Sequence, residues 1–134
     1  MQSNLTATNE EETQMPAMPP VHMDKKPIVT SFFDAQSNTI SYVVKDSDSP
    51  SCAVIDAVMN FDYAAGRLSF DCADEVMAHI KANDLALEWI IETHVHADHL
   101  SGAPYLQQHL GGKIGIGEHI QTVQDTFGKV SCTV

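Results

Sequence analysis

From Pro27 onward the apolar positions fall into short runs with strand character. Ile28, Val29, Phe32 and Phe33, then Ile40, Tyr42, Val43 and Val44, flank the turn-forming stretch Asp34 to Asn38, a pattern that predicts two antiparallel strands. After the polar break Asp46 to Ser51, with Pro50 inside it, Cys52-Ala53-Val54-Ile55 predicts a third strand ending at Asp56. Asn60 to Phe70, carrying Gly66, reads as irregular. Asp71 then suits a helix cap, with Asp74 and Glu75 beside the positive helix end and Ala73, Val76, Met77 and Ile80 forming the inward stripe. Asn83 and Asp84 end that helix, and Leu85, Leu87, Trp89, Ile90 and Ile91 predict a further strand. Ser101 and Gly102 open a second helix with Pro104 in its first turn, where a missing amide costs nothing, and Gly111-Gly112 stops it after Leu106 and Leu110. Lys113 to Ile116 reads as a strand and Glu118 to about Phe127 as a helix. This order is an α/β layer pattern without an internal repeat.

Residues 1–26, rich in Gln, Asn, Thr, Glu, Met and Pro and lacking either period, read as a disordered tail. Residues 27–134 therefore carry the folded part. A chain of 134 residues with 43% hydrophobic composition supports one small domain with a modest core. Its 7 Lys plus Arg against 18 Asp plus Glu, a formal charge of -11, argue against a grip on nucleic acid or anionic lipid, which needs clustered cations. No apolar run approaches the roughly 20 residues of a membrane-spanning helix. Glu10, Glu11, Glu12 and Asp24 do not suit a transit peptide and no signal-peptide core precedes them, so a cytoplasmic location is expected. Cys52, Cys72 and Cys132, odd in number and widely spaced, read as reduced thiols.

The chemistry is concentrated in one loop. His94, His96, Asp98 and His99, spaced H-x-H-x-D-H, follow the strand ending at Ile91 and precede a helix. Neutral imidazoles with a carboxylate suit divalent zinc, iron or manganese. Packing them together without a metal would desolvate several polar groups for no compensating bond. His94 and His96 can point the same way if strand geometry persists through Val95, with Asp98 and His99 approaching after a bend. His22, His79, His109 and His119 have no comparable spacing and read as ordinary surface or hydrogen-bonded side chains.

Thr93-His94-Val95-His96-Ala97-Asp98-His99-Leu100 resembles the signature of the metallo-β-lactamase superfamily, whose fold packs two β-sheets between outer helices. Ser31-Phe32-Phe33-Asp34, Thr39 to Val44, Ile55-Asp56, Glu92 to Leu106 and Gly115 to Ile120 extend the likeness, which is greatest to persulfide dioxygenases and related bacterial β-lactamase-like hydrolases. Nearly all of Pro27 to Lys129 takes part. The resemblance implies the N-terminal half of an αββα sandwich, with residues 27–134 a partial domain and the downstream histidine, aspartate and final histidine of the family lying beyond Val134, as in a truncated product. It further implies Fe(II), held through His94 as in persulfide dioxygenases, and a small-molecule thiol or persulfide as substrate, with glutathione persulfide oxidised to sulfite and the thiol. The alternative is a dinuclear zinc hydrolase of thioesters, of the glyoxalase II kind. There His94 and His96 match ligands of one Zn2+, Asp98 and His99 those of the other, and Asp98 is catalytic, orienting or deprotonating the water. A third reading is an inactive truncated chain whose exposed sheet surfaces favour association. Asp56 resembles a residue supporting the metal loop from behind the ligands. Nothing in the pattern specifies an oligomeric state.

Overall fold

A computed structural model describes residues 24–96 and 99–124. The expected tail lies outside them up to residue 23, as do Asp98 and Cys132. The elements are β1 (Ile28–Asp34), β2 (Thr39–Lys45), β3 (Ser51–Ile55), β4 (Val58–Asp62), β5 (Arg67–Ser69), α1 (Asp71–Ala82), β6 (Ala86–Glu92), β7 (Leu100–Ser101), α2 (Ala103–Leu110) and β8 (Lys113–Ile116). Residues 120–124 are helical, and the rest of the helix expected there lies outside the described residues.

The larger sheet has the order β1-β2-β3-β6-β8, and β5-β4-β7 form a smaller one. β1, β2 and β3 pair antiparallel in sequence, as the short turns between them dictate, whereas β6 runs parallel to both β3 and β8. Parallel pairing requires a crossover, which α1 and α2 supply. Val43, Cys52, Val54, Leu87 and Ile90 of the large sheet form one core with Ala73, Val76, Met77 and Ile80 of α1 and Ala103 and Leu106 of α2. The layering is α/β, as the apolar pattern predicts.

The sheet's other face is open among the described residues. The register places Val29, Val44, Ala53 and Trp89 in one row and Tyr42, Ile55 and Ile91 in the next. Val29, Phe33, Ile40, Trp89 and Ile91 are exposed on that face. A contiguous apolar surface of this kind marks a docking or association face.

Three local expectations differ from the structure. The stretch from Asn60 to Phe70 is not irregular: β4 and β5 form a hairpin across Asp62 to Gly66, with Gly66 at φ +59 and Asp62 Oδ1 accepting from the amides of Ala64 and Ala65. Asp71 lies inside α1 and Phe70 is its N-cap, without a side-chain capping bond. The free Cys72 amide instead donates to Asn60 Oδ1, at 3.3 Å, so a residue of β4 does what a local cap would have done. Ser101 belongs to β7, which pairs with β4, and Gly102 caps α2.

Candidate metal centre

β3 and β6 are parallel neighbours, so their carboxyl ends open on the same edge of the sheet, where such sheets present functional groups. Asp56 leaves β3 with φ +53, and its amide donates to Ile91 O at 2.9 Å. That left-handed turn sets the Asp56 carboxylate against the chain emerging from β6. The Thr93 amide donates to Asp56 Oδ1 at 2.8 Å, and the Thr93 hydroxyl donates to Oδ2 at 2.7 Å. A strand-end aspartate thus anchors the metal-loop backbone from 37 positions away.

These bonds decide where the imidazole protons sit. His94 Nδ1 lies 2.7 Å from Thr93 Oγ1. The hydroxyl's one proton is committed to Asp56, so Nδ1 must donate, and His94 keeps its lone pair on Nε2. His96 is fixed in the opposite sense. Its Nε2 is 3.0 Å from Asp56 Oδ1 and 3.1 Å from Glu92 Oε2. Carboxylate oxygens only accept, so Nε2 carries the proton and Nδ1 carries the lone pair. One carboxylate therefore assigns opposite tautomers to two neighbouring rings, as the partners behind metal-bound histidines do.

Burial pushes the Asp56 carboxyl up, but the Thr93 amide, the Thr93 hydroxyl and His96 together outweigh it and hold it below the usual carboxylate range. Asp34 follows the same logic: burial raises it, and bonds from the Ser37 hydroxyl and amide and from Asn60, with the nearby His99, bring it down. Asn60 Nδ2 donates to Asp34 Oδ1 at 2.6 Å while its Oδ1 caps α1, so this pair ties β1, β4 and α1 together beneath the site.

The structure brings three of the four histidine-loop residues together. The rings of His94 and His96 are 4.2 Å apart, and those of His96 and His99 are also 4.2 Å apart. Asp98 lies outside the described residues. β6 ends at Glu92, so His94 and His96 sit in irregular chain beyond the strand, and their hydrogen bonds align them where strand alternation was expected to. Asp56, His94 and His96 each offer one ligand atom within 4.8 Å of the others. This donor set fits a divalent metal of borderline softness. Both Asp56 oxygens already accept hydrogen bonds, which suits a carboxylate that orients the two imidazoles. A cavity of about 330 Å³ adjoins His96 and His99, walled by Val58, Met59, Phe61 and Leu100. Gln36 Nε2 donates to Phe61 O at 2.7 Å, joining the two hairpin tips that border it.

Sequence reasoning missed Thr93, Glu92, Asp34 and Asn60 as parts of this arrangement. Glu92 alone carried a signal, an acid closing an apolar strand, and the others are ordinary turn or loop residues until the fold brings their partners in. Cys52 and Cys72 are free and buried, and burial pushes both thiols up, which suits inert core positions.

The profile of the Metallo-beta-lactamase superfamily matches residues 36–131. A probable metallo-hydrolase of Burkholderia pseudomallei is 49% identical over 102 residues, which are 76% of this chain and 35% of that protein. Glyoxylase B2 of Dictyostelium discoideum is 42% identical over 106 residues, 78% of this chain and 36% of that protein. The crystal structure of ETHE1 from Myxococcus xanthus superposes with a TM-score of 0.54 at 25% identity, covering 65% of this chain and 34% of that one. The chain thus spans about a third of the length of these relatives.

Proposed function

The chain belongs to the metallo-β-lactamase superfamily, and from that premise we propose that it forms the metal-holding part of an enzyme that oxidises a small-molecule persulfide, with Fe(II) as its metal. The observation that carries the metal assignment is the meeting of Asp56, His94 and His96, with ligand atoms within 4.8 Å and lone pairs set by one carboxylate. His94 through Nε2 and His96 through Nδ1 would hold the metal, with His99 beside them and Asp98 next in sequence. When bound, Fe(II) would supply Lewis acidity and a redox-active centre, the net electrons for dioxygen reduction coming from the persulfide's outer sulfur.

The chain's own residues do the positioning. The apolar wall of Val58, Met59, Phe61 and Leu100 suits the sulfur end of a thiol-derived substrate and sheds water there. Glutathione persulfide is the favoured substrate, its outer sulfur leaving as sulfite with dioxygen and water together supplying the oxygens. Support comes from the likeness of Pro27 to Lys129 to persulfide dioxygenases.

A second reading, hydrolysis of a thioester at two Zn2+ ions with Asp98 handling the water, is favoured by the relatives named metallo-hydrolase and Glyoxylase B2. Metal analysis of the purified chain and of His94→Ala, with oxygen uptake on glutathione persulfide, tests the two. One iron and oxygen consumption support the first. Two zincs and thioester hydrolysis without oxygen uptake replace it with the second. A chain that takes up no metal overturns both.

A further inference from the structure

Glu92 closes β6 with only 7% of its surface exposed, on the side of the strand where Leu87 and Ile90 enter the core. Desolvating a carboxylate there is costly unless its oxygens meet hydrogen-bond donors. Oε1 accepts the Ser101 hydroxyl proton at 2.5 Å, and Ser101 Oγ in turn accepts from the Ala103 amide at 3.1 Å, in the first turn of α2. Oε2 lies 3.1 Å from His96 Nε2, an ion-pair distance outside hydrogen-bond geometry, and no hydrogen-bond donor reaches it among the described residues. A line of contacts therefore runs from the start of α2 through Ser101 and Glu92 to His96.

We propose that Glu92 is a positioning residue for His96, bracketing the Nε2 proton together with Asp56 so that Nδ1 stays turned to the metal. This rests on the metal reading above. Asp56 Oδ1 by itself gives the Nε2 proton an acceptor on one side. The Glu92 carboxylate, held by Ser101, places a second oxygen 3.1 Å from the same nitrogen. A half-turn of the ring would put Cε1–H where Nε2–H stands and leave two carboxylates facing a carbon, so the bracket opposes the flip more strongly than one acceptor does. The helix α2 thereby reports to the metal site through a buried acid rather than through a ligand.

The test compares the wild-type chain with Glu92→Gln and Ser101→Ala, using Zn2+ as the probe in competition with a chromophoric chelator. Long-range 1H–15N spectra of the metal-free proteins report the His96 tautomer. Glu92→Gln is expected to weaken Zn2+ binding about 10-fold and to lower the Nε2–H share of His96 while cooperative unfolding persists. Ser101→Ala, which leaves the carboxylate in place but unlocks it, shifts both readouts the same way by less. Binding within about two-fold of wild type in Glu92→Gln overturns the inference, as does a wild-type His96 protonated at Nδ1. If Glu92→Gln fails to fold, unchanged binding in Ser101→Ala overturns it. A wild-type chain that binds no Zn2+ overturns the metal reading and this inference with it, whereas tight binding in all three overturns this inference alone.

Discussion

Substituting Asp56 by Asn tests how the site is held, because Asn tolerates the left-handed backbone at φ +53 and changes only the side-chain chemistry. The amide's Oδ1 can still accept from the Thr93 amide and His96, but as a neutral acceptor. Its Nδ2 now faces the Thr93 hydroxyl as a donor. That hydroxyl must turn and give its proton to His94 Nδ1, at 2.7 Å, which moves the His94 proton to Nε2 and removes the lone pair offered to the metal. Three charge-assisted bonds are weakened or reversed, each by roughly 1 kcal/mol, and relief of carboxylate burial offsets part of this, so the expected net loss is about 2 kcal/mol. Asp56→Ala loses the same bonds and adds backbone strain of about 1–2 kcal/mol. Urea unfolding of the metal-free chain followed by circular dichroism, with 15N spectra of His94, measures both effects. Zn2+ affinity falls at least 10-fold in Asp56→Asn, about the lower end expected for a lost partner behind a ligand. If Asp56→Asn keeps wild-type stability within about 0.5 kcal/mol and His94 keeps its proton on Nδ1, the hydrogen-bond assignment is wrong.

Three further outcomes are expected. Asp34 and Asp56 are both held below their unfolded values near 3.9, so the stability they confer is complete above about pH 5 and drains away as pH falls through the folded values; the urea midpoint between about pH 5 and 2.5 should decline less steeply in Asp34→Asn, and an unchanged slope would remove Asp34 from that account. In Gly102→Ala the new Cβ would stand 2.8 Å from Val58 O and 3.0 Å from Val58 C, while the Gly102 amide bond to Ala57 O, at 2.7 Å, prevents retreat. The expected loss is about 2–3 kcal/mol, and a variant as stable as wild type would contradict the contact. The open sheet face should bind an apolar dye and drive concentration-dependent association, both reduced in a Phe33→Ser, Trp89→Ser double variant of unchanged helical signal; a wild-type chain that stays monomeric and dye-free would mean the face is covered.

The histidine loop was legible in the sequence because its chemistry is local: His94, His96 and His99 fall within six positions, and their rings meet in the structure. The strands and helices from Ile28 to Leu110 were equally legible wherever one face is buried, as in the stripe Ala73, Val76, Met77 and Ile80. The β4–β5 hairpin was not, since Asn60 breaks the apolar alternation and is buried only because Asp34 and the Cys72 amide satisfy it. In β6 the register shifts opposite Cys52 and Ala53, which turns Leu87 and Ile90 to the same side and leaves Trp89 exposed, against simple alternation.

Residue types and their periods along the chain thus determined the elements, the α/β class and the metal-type donors, because propensity and amphipathic burial act over a few neighbouring positions. The tertiary structure decided which nitrogen of His94 and of His96 carries the proton, which acid is buried and what caps α1. Each of those depends on a hydrogen bond between residues far apart in the chain, such as Asp56 with Thr93, and only the pairing of β3 with β6 brings those two within reach.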